Sequence, residues 1–287
     1  MKTNLTVVTL VHNVTKIKYP WKYSILSALP ICDRIVVVDS GPNDDDTTEE
    51  LCQLAQKNHK IIIVTDKKES RKLEILAGFQ SKIDWRYHEG CAWPDHANKI
   101  SDVWNVGYDF VETEWAMELQ ADEVLAEWEY GPFLTDLHCL PPWIQVGMVR
   151  FLHFCGDLKH QFPFIYQELP KICRTASGIR TFGDAFALRV PGGTPIAELP
   201  LTFFHCGKVH TGREKEAAWK EYTWQRDMYE GKLFEKADPL VKEAYDKGTM
   251  DFFKVFGPQK SLKITDYSGP WPAMVKAYAK DDLGVEL

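Results

Sequence analysis

The sequence lacks most of the motifs that assign a class at once. No G-x-G-x-x-G follows its first apolar run, where Val11-His12-Asn13-Val14-Thr15-Lys16 stands instead, so a dinucleotide-binding Rossmann loop is excluded. No G-x-x-x-x-G-K-[ST] occurs, which removes the P-loop. There is no C-x-x-C, and the seven cysteines, at 32, 52, 91, 139, 155, 173 and 206, are odd in number and scattered. Such spacing suits neither a disulfide framework nor a zinc module and points to reduced thiols in a cytoplasmic protein. The opening residues MKTNLT hold no apolar signal-peptide core. No apolar run reaches the roughly 18 residues of a membrane span. Long Lys/Arg runs are missing too, and the formal charge is −7; a nucleic-acid partner, which calls for a basic stripe, is disfavoured.

What remains is a globular composition, 45% apolar and 26% charged over 287 residues, enough for one large α/β domain with an appendage or for two small ones. Residues 5–11 and 61–64 are short β-branched runs, as is 35–39, and each predicts a buried strand. A helical pattern occupies 20–29. The segment Ser40-Gly41-Pro42-Asn43-Asp44 is a loop signal, and Thr47 with Glu50 predicts a capping box at the start of a second helix. Strand and helix in alternation imply a parallel sheet with crossover helices. A long amphipathic helix is expected over about 95–111, then strands over 115–119, 145–153 and 201–206. From 212 to 247 the pattern is helical and charged, and 250–287 reads as an irregular aromatic tail.

Three places can carry chemistry. Asp39 ends the second strand, where ligands of open α/β sheets bind; its alternative role is to cap the loop. With no glycine cradle, a diphosphate needs another neutralising device, and a divalent cation shared with carboxylates supplies one. Asp122 and Glu123 directly follow the apolar strand W-A-M-E-L, a costly place for two acids unless they meet a cation or water. His205, closing the apolar run F-F-H-C-G, is either a satisfied core histidine or the nitrogen ligand of a mixed site suited to Mn²⁺.

These residues carry a resemblance. I-V-V-V-D-S-G-P-N-D and the stretch from N-K-I to E-W-A-M-E-L-Q-A-D-E-V-L resemble the V-V-D-S-G-S-T-D and D-A-D-E blocks of family 2 glycosyltransferases. Among these, the lipopolysaccharide-core glucosyltransferase-like members are most similar; they also have an H-x-G segment, which His205-Cys206-Gly207 resembles. The likeness covers about residues 5–210. It implies a GT-A type α/β fold: a Rossmann-like, mixed, mostly parallel sheet flanked by helices, forming a catalytic domain over 1–210. A helical and irregular extension over 211–287 is expected on the acceptor side.

By that analogy Asp39 holds the nucleoside beside Val11 and Asn13. Asn98 and Lys99 approach the donor, as do Gln120 and Glu123. Asp122 is the metal-binding carboxylate, and His205 a second ligand of Mn²⁺ or Mg²⁺. The donor implied is a nucleotide-diphosphate sugar, a UDP-sugar foremost; the acceptor is a glycan, lipid-linked glycan or other hydroxyl. Transfer with inversion needs a base, with Asp184 the first choice by position and Glu168 the second. The expected location is the cytoplasm, free or peripheral to the inner face of a membrane. Gln120, Pro42 and Asn43 depart from the family pattern. Trp271, between two prolines, is a surface candidate for sugar stacking. The competing readings are a sugar-nucleotide nucleotidyltransferase, whose glycine- and Arg-rich loop is missing, a catalytically degenerate binding module, and a Cys/His metal protein with no finger spacing.

Overall fold

The computed structural model describes residues 2–41, 43–66, 75, 78, 83–91, 100–162, 167–183, 185, 187–228, 239–249 and 264–287, with the backbone alone for 223–228. In chain order the strands are β1 Leu5–Val11, β2 Arg34–Asp39, β3 Ile61–Thr65, β4 Asp84–Tyr87, β5 Trp115–Glu118, β6 Glu123–Leu125, β7 Val146–Gln161, β8 Glu168–Arg174, β9 Thr181–Phe182, β10 Ala187–Leu188, β11 Ile196–Val209 and β12 Thr265–Asp266. The α-helices are α1 Trp21–Ala28, α2 Thr47–Lys57, α3 Ile100–Tyr108, α4 Tyr130–Cys139, α5 Glu214–Met228, α6 Pro239–Lys247 and α7 Ala273–Asp281.

One sheet runs β4-β3-β2-β1-β5-β8-β7-β11-β6, with β12 added beside β7. It is mixed and mostly parallel: β4 through β5 are all parallel, as are β7 and β11, while β8, β6 and β12 run against their neighbours. Helices flank it, as the resemblance implies. β1, β2 and β3 are buried on both faces, which is why they are continuous Val/Ile runs rather than alternating ones. Gly107 on α3 lets that helix approach the sheet closely, since a Cβ there would lie 2.6 Å from Val8 and 3.0 Å from Val38.

Several expectations are corrected. The capping box does not form: α2 starts at Thr47 itself, the preceding Asp46 makes no side-chain cap, and the Glu50 carboxylate accepts from Thr15 Oγ1 at 2.6 Å. β7 and β11 extend well beyond 145–153 and 201–206. The tail is not irregular throughout, because α7 forms within it and packs against α1. Val275, Tyr278 and Ala279 of α7 share a core with Val124, Phe154 and Phe204 of the sheet, so the last residues belong to the sheet's own packing. Trp271 sits in that same cluster, 4.8 Å from the Phe154 ring and 4.6 Å from Tyr267; it is a packing residue there, not an open platform. No helix of the described residues is long and apolar enough to cross a membrane.

Candidate active site

The parallel strands β1, β2, β3 and β5 all end at one edge of the sheet. Register carries the remaining elements to the same edge. β8 runs antiparallel to β5, so its first residue, Glu168, lies beyond the end of β5. His205 of β11 is level with His153 of β7 and with Glu123 at the start of β6. The topology thus gathers Val11, Asp39, Asp122, Glu123, His153, Glu168 and His205 at one rim, where open α/β sheets bind ligands.

The two halves of the rim differ. At the β1–β2 half the polar groups satisfy one another. Asp39 is fully buried, and its carboxylate accepts from Asn43 Nδ2 at 2.7 Å and Thr48 Oγ1 at 2.9 Å. Asn43 Oδ1 accepts from Asn13 N, while Asn13 Oδ1 accepts from Asp44 N. The Val11 carbonyl accepts from Ser40 N. Asn13 holds a left-handed conformation, φ +50, which an asparagine tolerates because its short amide bonds locally. The loop-capping role of Asp39 is therefore the one the geometry displays.

Beyond β5 the arrangement changes. The Asp122 carboxylate meets His205 Nε2 at 3.5 Å. Gly207 makes room for it: a Cβ at that position would collide with the Asp122 oxygen and stand 2.9 Å from His205 Cε1. The glycine of H-C-G is thus required by the close approach of this carboxylate. Burial lowers the His205 pKa, partly countered by Asp122, so the imidazole is neutral and has a lone pair to give. Two ligands of one hard cation, each about 2.1 Å from it, stand roughly 3–4 Å apart, and the Asp122–His205 spacing fits. No group of three or more His, Cys, Asp and Glu that could hold a metal occurs among the described residues; diphosphate and water oxygens would complete such a shell, as is usual for Mg²⁺-type sites.

Glu123 faces a different partner. It is buried beside Lys171, 3.2 Å away, and Lys171 also meets Glu118 at 3.0 Å. Its second oxygen accepts from Gln120 N at 2.7 Å, closing the Q-A-D-E turn. Burial, only partly offset by Lys171, pushes the Glu123 pKa up to about 7. Burial disfavours the Lys171 charge, but Glu118 and Glu123 outweigh it and raise its pKa. The donor-facing role expected of Glu123 gives way to a buried ion triad that holds the turn carrying Asp122. Gln120 is also engaged, its amide donating to the Ala185 carbonyl at 2.8 Å. Glu168 is exposed, level with Arg150. Asn98, Lys99 and Asp184 lie outside the described residues.

Sequence patterns missed two arrangements, the pairing of His153 with His205 and the role of Arg213. His153 lies in the alternating run F-L-H-F, yet its Nδ1 is 3.3 Å from His205 Nδ1. Arg213 is fully buried and joins three segments: it donates to the carbonyls of Val209 at 2.6 Å, Ile17 at 2.8 Å and Gly207 at 3.2 Å. α5 then lies along the loop after β1. Lys18 pairs with Glu216 at 3.1 Å, and Lys16 sits 4.7 Å over the Trp219 ring. Tyr278 of α7 donates to the Lys18 carbonyl at 2.9 Å. The extension after residue 210 therefore reaches the loop after β1.

No protein-family model matches the chain, and no curated protein matches its sequence. Similar solved structures include Staphylococcus aureus TarS 1–349, 10% identical, covering 92% of this chain and 76% of that chain with a TM-score of 0.33. TarS 1–349 in complex with UDP-GlcNAc is 11% identical, covering 89% of this chain and 81% of that chain at 0.33. The complex with UDP is 10% identical, covering 91% and 82% at 0.32. Likeness at this level places no constraint on what the chain does.

Proposed function

We propose that the protein is a glycosyltransferase using a nucleotide-diphosphate sugar, a UDP-sugar foremost, with a divalent cation held by Asp122 and His205. The observation that carries this reading is their 3.5 Å pair at the carboxyl rim, cleared by Gly207. A bound Mn²⁺ or Mg²⁺ would offset charge on the departing diphosphate. The chain's own part is to orient the donor and accept a proton. A base takes the acceptor hydroxyl proton as the acceptor oxygen bonds to the sugar's anomeric carbon, and the bond from that carbon to the diphosphate breaks, inverting the centre. Asp184 is the base we propose first and Glu168 second; removing such a base costs about 10²–10⁴ in rate. Asp39, with both oxygens engaged, shapes the nucleoside loop rather than touching ribose.

The test is thermal stabilisation by UDP-, GDP- and CMP-sugars with and without Mn²⁺, since a ligand that binds only the folded state raises its melting temperature. Stabilisation by one sugar nucleotide, dependent on Mn²⁺, is expected. A chain that responds to none of them, or fully in excess EDTA, contradicts the reading. Gln120 favours a second reading, a degenerate GT-A binding module, because its amide is spent on Ala185. That module would bind the donor and never release the sugar.

A further inference from the structure

We infer that His153 is a positioning residue for His205, fixing which of its ring nitrogens is free to meet a cation; this rests on the cation site proposed above. The two imidazoles lie side by side on parallel strands, level in register. Their Nδ1 atoms are 3.3 Å apart, and the ring centroids 4.9 Å at 61°. A contact between two Nδ1 atoms is a hydrogen bond only if one ring donates and the other accepts. His205 turns its other nitrogen, Nε2, to Asp122 at 3.5 Å.

A cation between Asp122 and His205 needs a lone pair at Nε2. His205 must then carry its proton on Nδ1 and donate to His153 Nδ1, whose own proton sits on Nε2. Hydrogen bonding at one ring nitrogen sets the metal-binding state of the other. The His153 ring is held for this task. It stacks on Phe151 at 5.5 Å and 21°, and Phe151 stacks on Phe203 at 5.1 Å and 26°. His153 is buried, while His205 keeps partial access to the rim. The acceptor is thus fixed in the sheet, and the ligand it orients faces outward.

The experiment titrates the full chain with Mn²⁺ and reads the free ion by electron paramagnetic resonance, without turnover. His153→Phe keeps a stacking ring but offers no acceptor, and should weaken Mn²⁺ binding about 10–100-fold. His153→Asn places an acceptor near the position of Nδ1 and should bind within a few-fold of wild type. The metal-free melting temperature of each variant shows that it is folded. If His153→Phe is too unstable, nitrogen-15 NMR of the wild type with diamagnetic Zn²⁺ answers the same point, with His205 protonated at Nδ1 and His153 Nδ1 unprotonated. Equal Mn²⁺ affinity of folded His153→Phe and wild type overturns the inference and leaves the cation site standing, as does a Zn²⁺ complex in which His205 Nδ1 has no proton. A wild type that binds no Mn²⁺, or a His205→Ala that binds it normally, overturns the cation site itself.

Discussion

The two halves of the rim use the same residue type in opposite ways. Asp39 ends the buried strand β2, and Asp122 lies just past the buried strand β5, both at the carboxyl edge. Asp39 is fully buried with both oxygens hydrogen-bonded inside its loop. Asp122 has a neutral imidazole at 3.5 Å and a glycine in front of it. The acceptors of Asp39 are filled by its own chain, which makes it an architectural group, whereas Asp122 is the carboxylate proposed above to bind a cation. Position at a strand end does not separate them; the partners do.

Substitutions can break that comparison. The largest effect is expected from Asp122→Asn, which should abolish Mn²⁺-dependent donor binding and transfer while leaving the circular-dichroism spectrum and melting temperature close to wild type. Lys171→Met leaves two glutamates in the interior without their cation, and should cost about 3–5 kcal/mol in urea unfolding. Replacing Glu118, Lys171 and Glu123 together with apolar residues of similar volume should recover most of that loss. Asp39→Asn should cost about 1–3 kcal/mol because one of the two buried donors loses its acceptor, with nucleotide affinity changing less than stability does. Gly207→Ala should cost about 1–3 kcal/mol as the chain shifts to admit the methyl, and should weaken Mn²⁺ binding because the group that must move is Asp122.

A further effect concerns acid. His210 is buried near Arg213, and burial followed by that guanidinium pushes its pKa down to about 3 from 6.5. The unfolded chain therefore binds the extra proton between those values. Stability is present above pH 6.5 and is lost as pH falls toward 3. His210→Gln should flatten this part of the melting-temperature profile, whatever it does to the plateau.

The central strands were legible because their middles are buried on both faces and are runs of β-branched and apolar residues, with the charged Arg34 and Asp39 only at the ends of β2. β4, Asp-Trp-Arg-Tyr, escapes such a reading: it is an edge strand with exposed and half-buried positions. β8 escapes because Pro170 and Lys171 interrupt its apolar run; the lysine is buried only by virtue of two glutamates distant in sequence. α7 is hidden by its short length and the prolines before it, although three of its residues enter the core. At the site, Asp122 and His205 stand out by residue type and strand ends, and the structure places them 3.5 Å apart. Glu123 was not, because its role depends on Lys171, some 50 positions away in the chain. The match of His153 to His205 is a matter of register between β7 and β11, which no local pattern encodes. The Thr47 signal marked the start of α2 but not its cap, because Glu50 is taken by Thr15 and Lys22 instead.

The central claim is that Asp122, not Asp39, is the ligand-binding carboxylate of the rim. Calorimetry of UDP with the wild type, Asp122→Asn and Asp39→Asn, each with Mn²⁺ and with EDTA, tests it most directly. The account predicts Mn²⁺-dependent binding to the wild type, none to Asp122→Asn at unchanged melting temperature, and retained binding to a less stable Asp39→Asn. Wild-type affinity in Asp122→Asn, or binding lost in a folded Asp39→Asn alone, would contradict it.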